Sequence, residues 1–61
     1  MKIRITKELK TYDKPVVGGI YEVIKTYTTE FGTHLRYIEV NGNLVGIKIN
    51  ECEVVEDENN E

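Results

Sequence analysis

The residues of this chain that most readily carry chemistry are its single cysteine, Cys52, and its single histidine, His34. A cysteine thiolate activated by an imidazole is the nucleophile of cysteine-dependent hydrolysis. Free cysteine is, however, among the most frequently buried residue types, and a chain of 61 residues offers little depth to support such a pair. We therefore predict that Cys52 is a small buried apolar residue between Ile49 and Val54. We predict that His34 is an exposed strand residue beside a turn.

The sequence lacks the signatures of other catalytic or metal sites. It contains no serine, and its glycines do not have the spacing of a phosphate-binding P-loop. One cysteine and one histidine allow neither an internal disulfide nor a structural zinc site of four nitrogen or sulfur ligands. The acidic residues between positions 51 and 61 do not have the glycine turn and alternating ligands of a calcium loop. We predict that the protein is not an enzyme and holds no metal or cofactor.

Aromatic side chains are the main candidates for a binding surface. The chain has four tyrosines and one phenylalanine, which is more than the core of so small a domain needs. A rigid amphipathic ring gains contact area at low entropic cost, which favours tyrosine at binding surfaces. The alternative is that Tyr21 belongs to the core and the other rings only cover the ends of the domain. The predicted partner- or ligand-binding residues are Tyr12, Tyr27, Phe31, His34, Arg36 and Tyr37.

Two of these candidates have a predicted common orientation. His34 and Arg36 alternate with their neighbours on one strand, so they share a face with Ile38. Together with Tyr27, we expect them to be able to meet an anionic or aromatic ligand.

The net charge of −3 conceals a polarity along the chain. Residues 1–14 carry five basic and two acidic side chains, residues 15–49 carry three of each, and residues 50–61 carry six acidic ones. A basic first segment can contact nucleic acid, and an acidic end can act as an interaction tail. We favour the alternative that the two ends lie side by side in one sheet and attract each other across strands.

The elements that must position these residues are β-strands. Ser, Ala, Gln and Trp are absent, whereas Ile, Val and Thr supply 20 of the 61 positions. β-Branched side chains lose freedom in helices and pack well on a pleated sheet. The composition therefore predicts an all-β domain.

Alternation of apolar and polar residues places the strands. They are predicted at 1–5, 20–28, 35–40, 44–49 and 54–55, with a long loop at 6–18, a turn at 29–33 and a helical turn at 50–52. The strand at 20–28 is partly apolar on both faces, which indicates a bend from one sheet into the next. Asn41-Gly42 predicts a tight hairpin, because both central residues of a type I′ turn need positive φ. Residues 56–61 have no apolar side chain and are predicted to form a disordered acidic tail.

This order of elements resembles the SH3-like small barrel. The segment LVGIKINECEVV at 44–55 looks like its last hairpin strand, single 3₁₀ turn and closing strand, and GGIYEVI at 18–24 looks like its glycine-led second strand. The pattern is also similar to small uncharacterised SH3-like barrel proteins of Gram-positive bacteria and their phages. The resemblance implies a single five-stranded barrel over residues 1–55 with adjacent first and last strands. It does not imply binding of proline-rich ligands, because tryptophan and an ALYDY-like motif are missing.

These observations favour a non-catalytic binding module, and the resemblance implies a phage or bacterial source. We expect it to bind a partner protein through its surface tyrosines and first long loop. One alternative is a homo-oligomer that sequesters a small anionic ligand, such as a nucleotide, as a phage counter-defence protein. A second is a nucleic-acid-binding barrel, which the net negative charge disfavours. Without a long apolar run or a signal-peptide pattern, we expect a cytoplasmic protein that does not contact membranes.

Overall fold

The computed structural model describes residues 1–57, which form six β-strands and one short 3₁₀ helix. In chain order these elements are β1 (Lys2–Ile5), β2 (Ile20–Glu22), β3 (Lys25–Thr28), β4 (His34–Val40), β5 (Asn43–Lys48), the 3₁₀ turn (Ile49–Glu51) and β6 (Cys52–Glu56). The strands form two antiparallel sheets with the orders β2-β1-β6 and β3-β4-β5. The all-β prediction is confirmed. Within residues 1–57 no strand ladder joins the two sheets into a closed cylinder.

The predicted second strand is two strands that belong to different sheets. The Val23 amide donates to the Met1 carbonyl at 2.9 Å, and the next amide, of Ile24, donates to the Tyr37 carbonyl at 2.8 Å. Because successive amides of an extended chain point to opposite edges, β2 pairs with β1 on one side and β3 with β4 on the other. The segment changes sheets as its two apolar faces indicated. Because the segment forms two strands, residues 1–57 contain six strands and not the five predicted.

The core lies between the inner faces of the two sheets. Its buried members are Ile3, Ile5, Leu9, Ile38, Val40, Val45, Ile47 and Cys52. Met1, Tyr21 and Val23 are partly buried against this cluster. Cys52 is therefore a buried apolar residue, as predicted, but it begins β6 and does not belong to the helical turn predicted at 50–52, which lies at Ile49–Glu51.

The hairpin between β4 and β5 is the turn that the sequence predicts. Asn41 and Gly42 both have positive φ, at 54° and 83°, and Val40 pairs with Asn43 across the turn. This conformation suits asparagine and glycine, whereas most other side chains are strained in it. The turn thereby fixes the register of β4 against β5.

The two ends of the chain lie side by side in the sheet β2-β1-β6. Arg4 donates to the Glu53 carboxylate at 2.5 Å, and the Lys2 ammonium lies 3.3 Å from the Glu56 carboxylate. The predicted attraction between the basic first strand and the acidic end is confirmed. Glu56, the first residue of the predicted acidic tail, belongs to β6, and the part of that prediction at 58–61 lies outside the described residues.

The long first loop is fastened at several points. Leu9 and Pro15 are buried, and the Asp13 carboxylate accepts a hydrogen bond of 3.0 Å from the Asn43 side chain. The loop therefore packs against the β4–β5 hairpin, and its exposed residues have a fixed location.

Candidate functional site

The candidate residues of β3 and β4 divide between the two faces of one sheet. Residues directly opposite each other on antiparallel strands share a face, and side chains alternate along each strand. Ile38 is fully buried, so its side of β4 is the inner face. His34 and Arg36 share this inner face, as predicted. Tyr27 lies opposite Leu35 in the register and therefore belongs to the outer face.

The outer face carries a half-exposed apolar surface that is not part of the buried core cluster. Tyr37 covers Gly46 on the neighbouring strand, since a Cβ built on Gly46 would lie 3.2 Å from the tyrosine Cε1. The Lys25 ammonium lies 5.3 Å from the centre of the Tyr37 ring, within the range of a cation–π contact. We name this surface the outer patch; by register it consists of Tyr27, Leu35, Tyr37 and Leu44, and the charged residues beside them are Lys25, Glu39 and Lys48.

On the other side of the sheet, two depressions meet near the start of β4. Their volumes are about 330 and 400 Å³, and both are lined by His34 and Ile49. Arg36 contributes to the first, and Lys48 to the second. Tyr27 also borders the first depression, although its side chain is assigned to the outer face by register. No aspartate or glutamate of the described chain lines either depression, and we name the pair the cationic groove.

Arg36 and His34 are held differently within this groove. Arg36 is half-buried, and its Nη1 donates to Cys52 Sγ at 3.4 Å. Among residues 1–57 no carboxylate lies within ion-pair distance of its guanidinium. His34 is exposed, as predicted, and its Nδ1 is hydrogen bonded to the Thr28 hydroxyl at 2.9 Å. The sulfur of Cys52 contacts Arg36 and the Lys48 carbonyl, and His34 is not among its described hydrogen-bond partners.

Tyr12 and Phe31 are the most exposed rings, and they adjoin opposite ends of the sheet β3-β4-β5. Tyr12 is 99% exposed and precedes Asp13, which is bonded to the hairpin that ends β4. Phe31 is 90% exposed and lies in the turn that precedes β4. The seven residues of β4 span about 20 Å at the usual rise of a strand. The six predicted site residues therefore do not form one surface.

Several residues of these surfaces were not selected from the sequence. Leu35 and Leu44 belong to the outer patch, and Ile49 lies at the junction of the two depressions. Leu35 alternates with Tyr37 on one strand, and this period-two relation could have identified it. Leu44 and Ile49 required the pairing of β4 with β5 and the position of the 3₁₀ turn.

The described residues form neither a metal-binding cluster nor a membrane-spanning helix, and the chain resembles no known protein significantly. Within residues 1–57, no three His, Cys, Asp or Glu side chains are grouped so that they could hold a metal ion. No helix in this part of the chain is long and apolar enough to cross a membrane. No protein-family model matches the chain, and no curated protein or solved structure is significantly similar to it.

Proposed function

We propose that this protein is a non-catalytic binding module that binds a partner protein through the outer patch. The observation that carries the proposal is an apolar surface on one open sheet face, centred on a tyrosine that covers a glycine. Exposed apolar surfaces with polar borders typically mark interaction sites, and tyrosine is enriched where binding energy is concentrated. The buried core does not use these side chains, so they are available to a partner.

The proposal includes an SH3-like barrel as the framework. Strand β1 lies between β2 and β6, and the chain passes from one sheet to the other at Val23-Ile24. A 3₁₀ turn precedes the last strand. These features support the resemblance seen in the sequence, with the second barrel strand divided into β2 and β3.

The first loop and the β3–β4 turn adjoin opposite ends of the sheet that carries the patch. Tyr12 is near the hairpin end, and Phe31 is in the turn at the other end. A partner segment that runs along the outer patch for about 20 Å would reach both ends. The proposed surface keeps Tyr27 and Tyr37 as central contacts and places Tyr12 and Phe31 at its margins.

The test is a pulldown from the native host with a variant that changes only the outer patch. Tyr27 and Leu44 are both about half-exposed, so Tyr27→Lys with Leu44→Lys adds charge without disturbing the core. We expect this double variant to lose at least about tenfold of the captured partner, equivalent to ~1.4 kcal/mol. The control is Ile20→Lys, which adds the same charge at a half-exposed position of the other sheet and is expected to retain capture.

The fold of each variant is checked by circular dichroism and by the dispersion of its NMR spectrum. Equal capture by the wild type and a folded double variant would exclude the outer patch. The mass in solution, measured by light scattering, identifies the case in which the partner is a second copy of this chain. A wild-type oligomer that becomes monomeric in the double variant would favour the homo-oligomeric alternative.

The nucleic-acid alternative has less support from the structure than from the sequence. Lys2 and Arg4, which are the cations of β1, are engaged by Glu56 and Glu53 of β6. A phosphate backbone would have to displace these carboxylates before it could use the first strand.

A further inference from the structure

We propose that the cationic groove binds a small phosphate-bearing ligand of the nucleoside monophosphate class, with its phosphate at Arg36 and His34. The proposed phosphate contacts, Arg36 and His34, lie on the inner face of the sheet and are not part of the outer patch, although Tyr27, Leu35 and Lys48 border both surfaces. The inference therefore does not depend on the proposed protein partner, and either proposal can fail alone.

The state of Arg36 is the first argument. Removing a guanidinium from water is costly unless an anion and hydrogen-bond acceptors compensate for it. Arg36 is half-buried, yet its described contact is a long hydrogen bond to a sulfur, which is a weak acceptor. Arg4, the other arginine, is more exposed and still has a carboxylate partner. Within residues 1–57, most of the five donors of Arg36 thus have no protein partner, and its planar fork suits a phosphate.

Most of the other polar side chains of the groove are cations or hydroxyls that can donate to an anion, and Asn50 adds a side-chain amide. Thr26 and Thr28 line the first depression beside Arg36, and Lys48 and Thr33 line the second. Their electrostatic effect is not cancelled locally, because no acidic side chain of the described residues lines the groove.

Two acidic side chains contact residues that line the groove, and each of them already has a described partner. Glu22 is paired with the Met1 amine at 3.4 Å, and Glu51 accepts a hydrogen bond of 3.0 Å from the Lys48 amide. In a protein with a net charge of −3, a concave surface that no acidic side chain of residues 1–57 lines favours an anion.

The size and apolar wall of the groove indicate an organic phosphate and not the bare ion. Ile49 is about half-exposed at the junction of the depressions, and Leu35 and Tyr27 line the first. Depressions of about 330 and 400 Å³ are at the lower end of the range of small-ligand sites. A phosphate at Arg36 would leave a flat base or other apolar moiety against Ile49.

The test is a titration of the full chain with adenosine monophosphate, inorganic phosphate and adenosine, followed by NMR of the backbone amides. We expect the monophosphate to shift the amides of residues 26–28, 34–36 and 48–50, and to bind at least tenfold more tightly than adenosine. Inorganic phosphate is expected to shift the same amides more weakly. Arg36→Met keeps the length of the side chain and is expected to weaken monophosphate binding at least tenfold.

Arg4→Gln is the matched control, because it removes the other arginine from the opposite sheet and leaves the expected affinity unchanged. If Arg36→Met does not fold, the wild-type shifts alone decide, together with His34→Ala at the exposed start of β4. The inference is overturned if millimolar monophosphate moves no groove amide, if adenosine binds as tightly as its phosphate, or if Arg4→Gln and Arg36→Met lose affinity equally.

Discussion

Gly19 precedes β2, and the chain can pack closely there only because glycine has no Cβ. A Cβ there would lie 3.0 Å from the Val16 carbonyl oxygen and 3.1 Å from a ring carbon of Tyr21. The Tyr21 hydroxyl also accepts a hydrogen bond from the Val16 amide at 2.9 Å, so neither neighbour can move independently. We predict that Gly19→Ala lowers the free energy of unfolding by about 1–3 kcal/mol, the usual cost of overpacking. Urea denaturation followed by circular dichroism measures it.

The comparison for this prediction is Gly46→Ala. Its Cβ would meet only the ring of Tyr37, at 3.2 Å or more, and a half-buried ring yields more readily than a backbone carbonyl. Gly46→Ala should therefore cost less than Gly19→Ala. Equal losses would show that the carbonyl of Val16 is not the constraint.

At the scale of single residues, the sequence predicted whether a side chain is buried or exposed better than it predicted which residues that side chain contacts. The buried state of Cys52 and the exposure of His34 follow from residue type and from the neighbours in the chain. That no carboxylate of the described residues pairs with Arg36, in contrast, depends on which strands adjoin β4 and where their acidic residues face. Local pattern contains no information on that pairing.

Among the elements, β1 and β6 are the first and last strands of the described chain, and they pair directly in one sheet. Their outer faces present Arg4 to Glu53 and Lys2 to Glu56. Exposed ion pairs of this kind contribute about 0.2–1 kcal/mol each, because solvent screens the attraction and the long side chains lose entropy. The strands are therefore held mainly by their ladder and by Ile3 and Ile5 beneath it, while the charges select the correct neighbour.

A double-mutant cycle of Arg4→Gln and Glu53→Gln tests this view. We predict a coupling energy of about 0.5 kcal/mol in low salt that decreases in high salt, since the Debye length shortens. The reference cycle combines Arg4→Gln with Glu39→Gln on the other sheet and should give no coupling. A coupling above about 2 kcal/mol, or one that salt does not change, would mean that the pair is not an ordinary exposed ion pair.

The strands were largely predictable from the sequence, and their assembly into sheets was predictable only where turn chemistry fixed it. Alternation located β1, β4 and β5 within one or two residues, and Asn41-Gly42 fixed the register of the hairpin. The division of 20–28 into two strands required the opposite hydrogen bonds of Val23 and Ile24. The separation of Tyr12 from Phe31 also depended on assembly, because the first loop bonds to the hairpin and not to the β3–β4 turn.

At the scale of the whole molecule, the core is small, and several large apolar side chains therefore remain exposed on the surface. Eight buried side chains form the core cluster of the described domain, and within it only Ile3, Ile5, Ile38 and Ile47 have essentially no exposed area. Side chains such as Tyr27, Leu44 and Ile49 remain half-exposed, and they lie where we propose binding to a partner or ligand. The buried residues of the sheet β3-β4-β5 lie on its inner face, whereas Tyr27 and Leu44 lie on its outer face and Ile49 lies in the 3₁₀ turn.

Ile38→Ala tests how narrow the stability margin is. Chains of this size typically have a free energy of unfolding of about 3–9 kcal/mol, and truncation of a buried isoleucine to alanine costs about 2–5 kcal/mol. Ile38 is fully buried, so we predict that Ile38→Ala is largely unfolded at 37 °C, whereas Ile38→Val loses only about 0.5–1.5 kcal/mol and remains folded. Thermal unfolding followed by circular dichroism distinguishes the two, with Ile20→Val at a half-exposed position as the control of little effect. A folded Ile38→Ala variant with a concentration-independent Tm would contradict the narrow margin. A Tm that rises with protein concentration would instead show that a second copy covers apolar area that one chain leaves exposed.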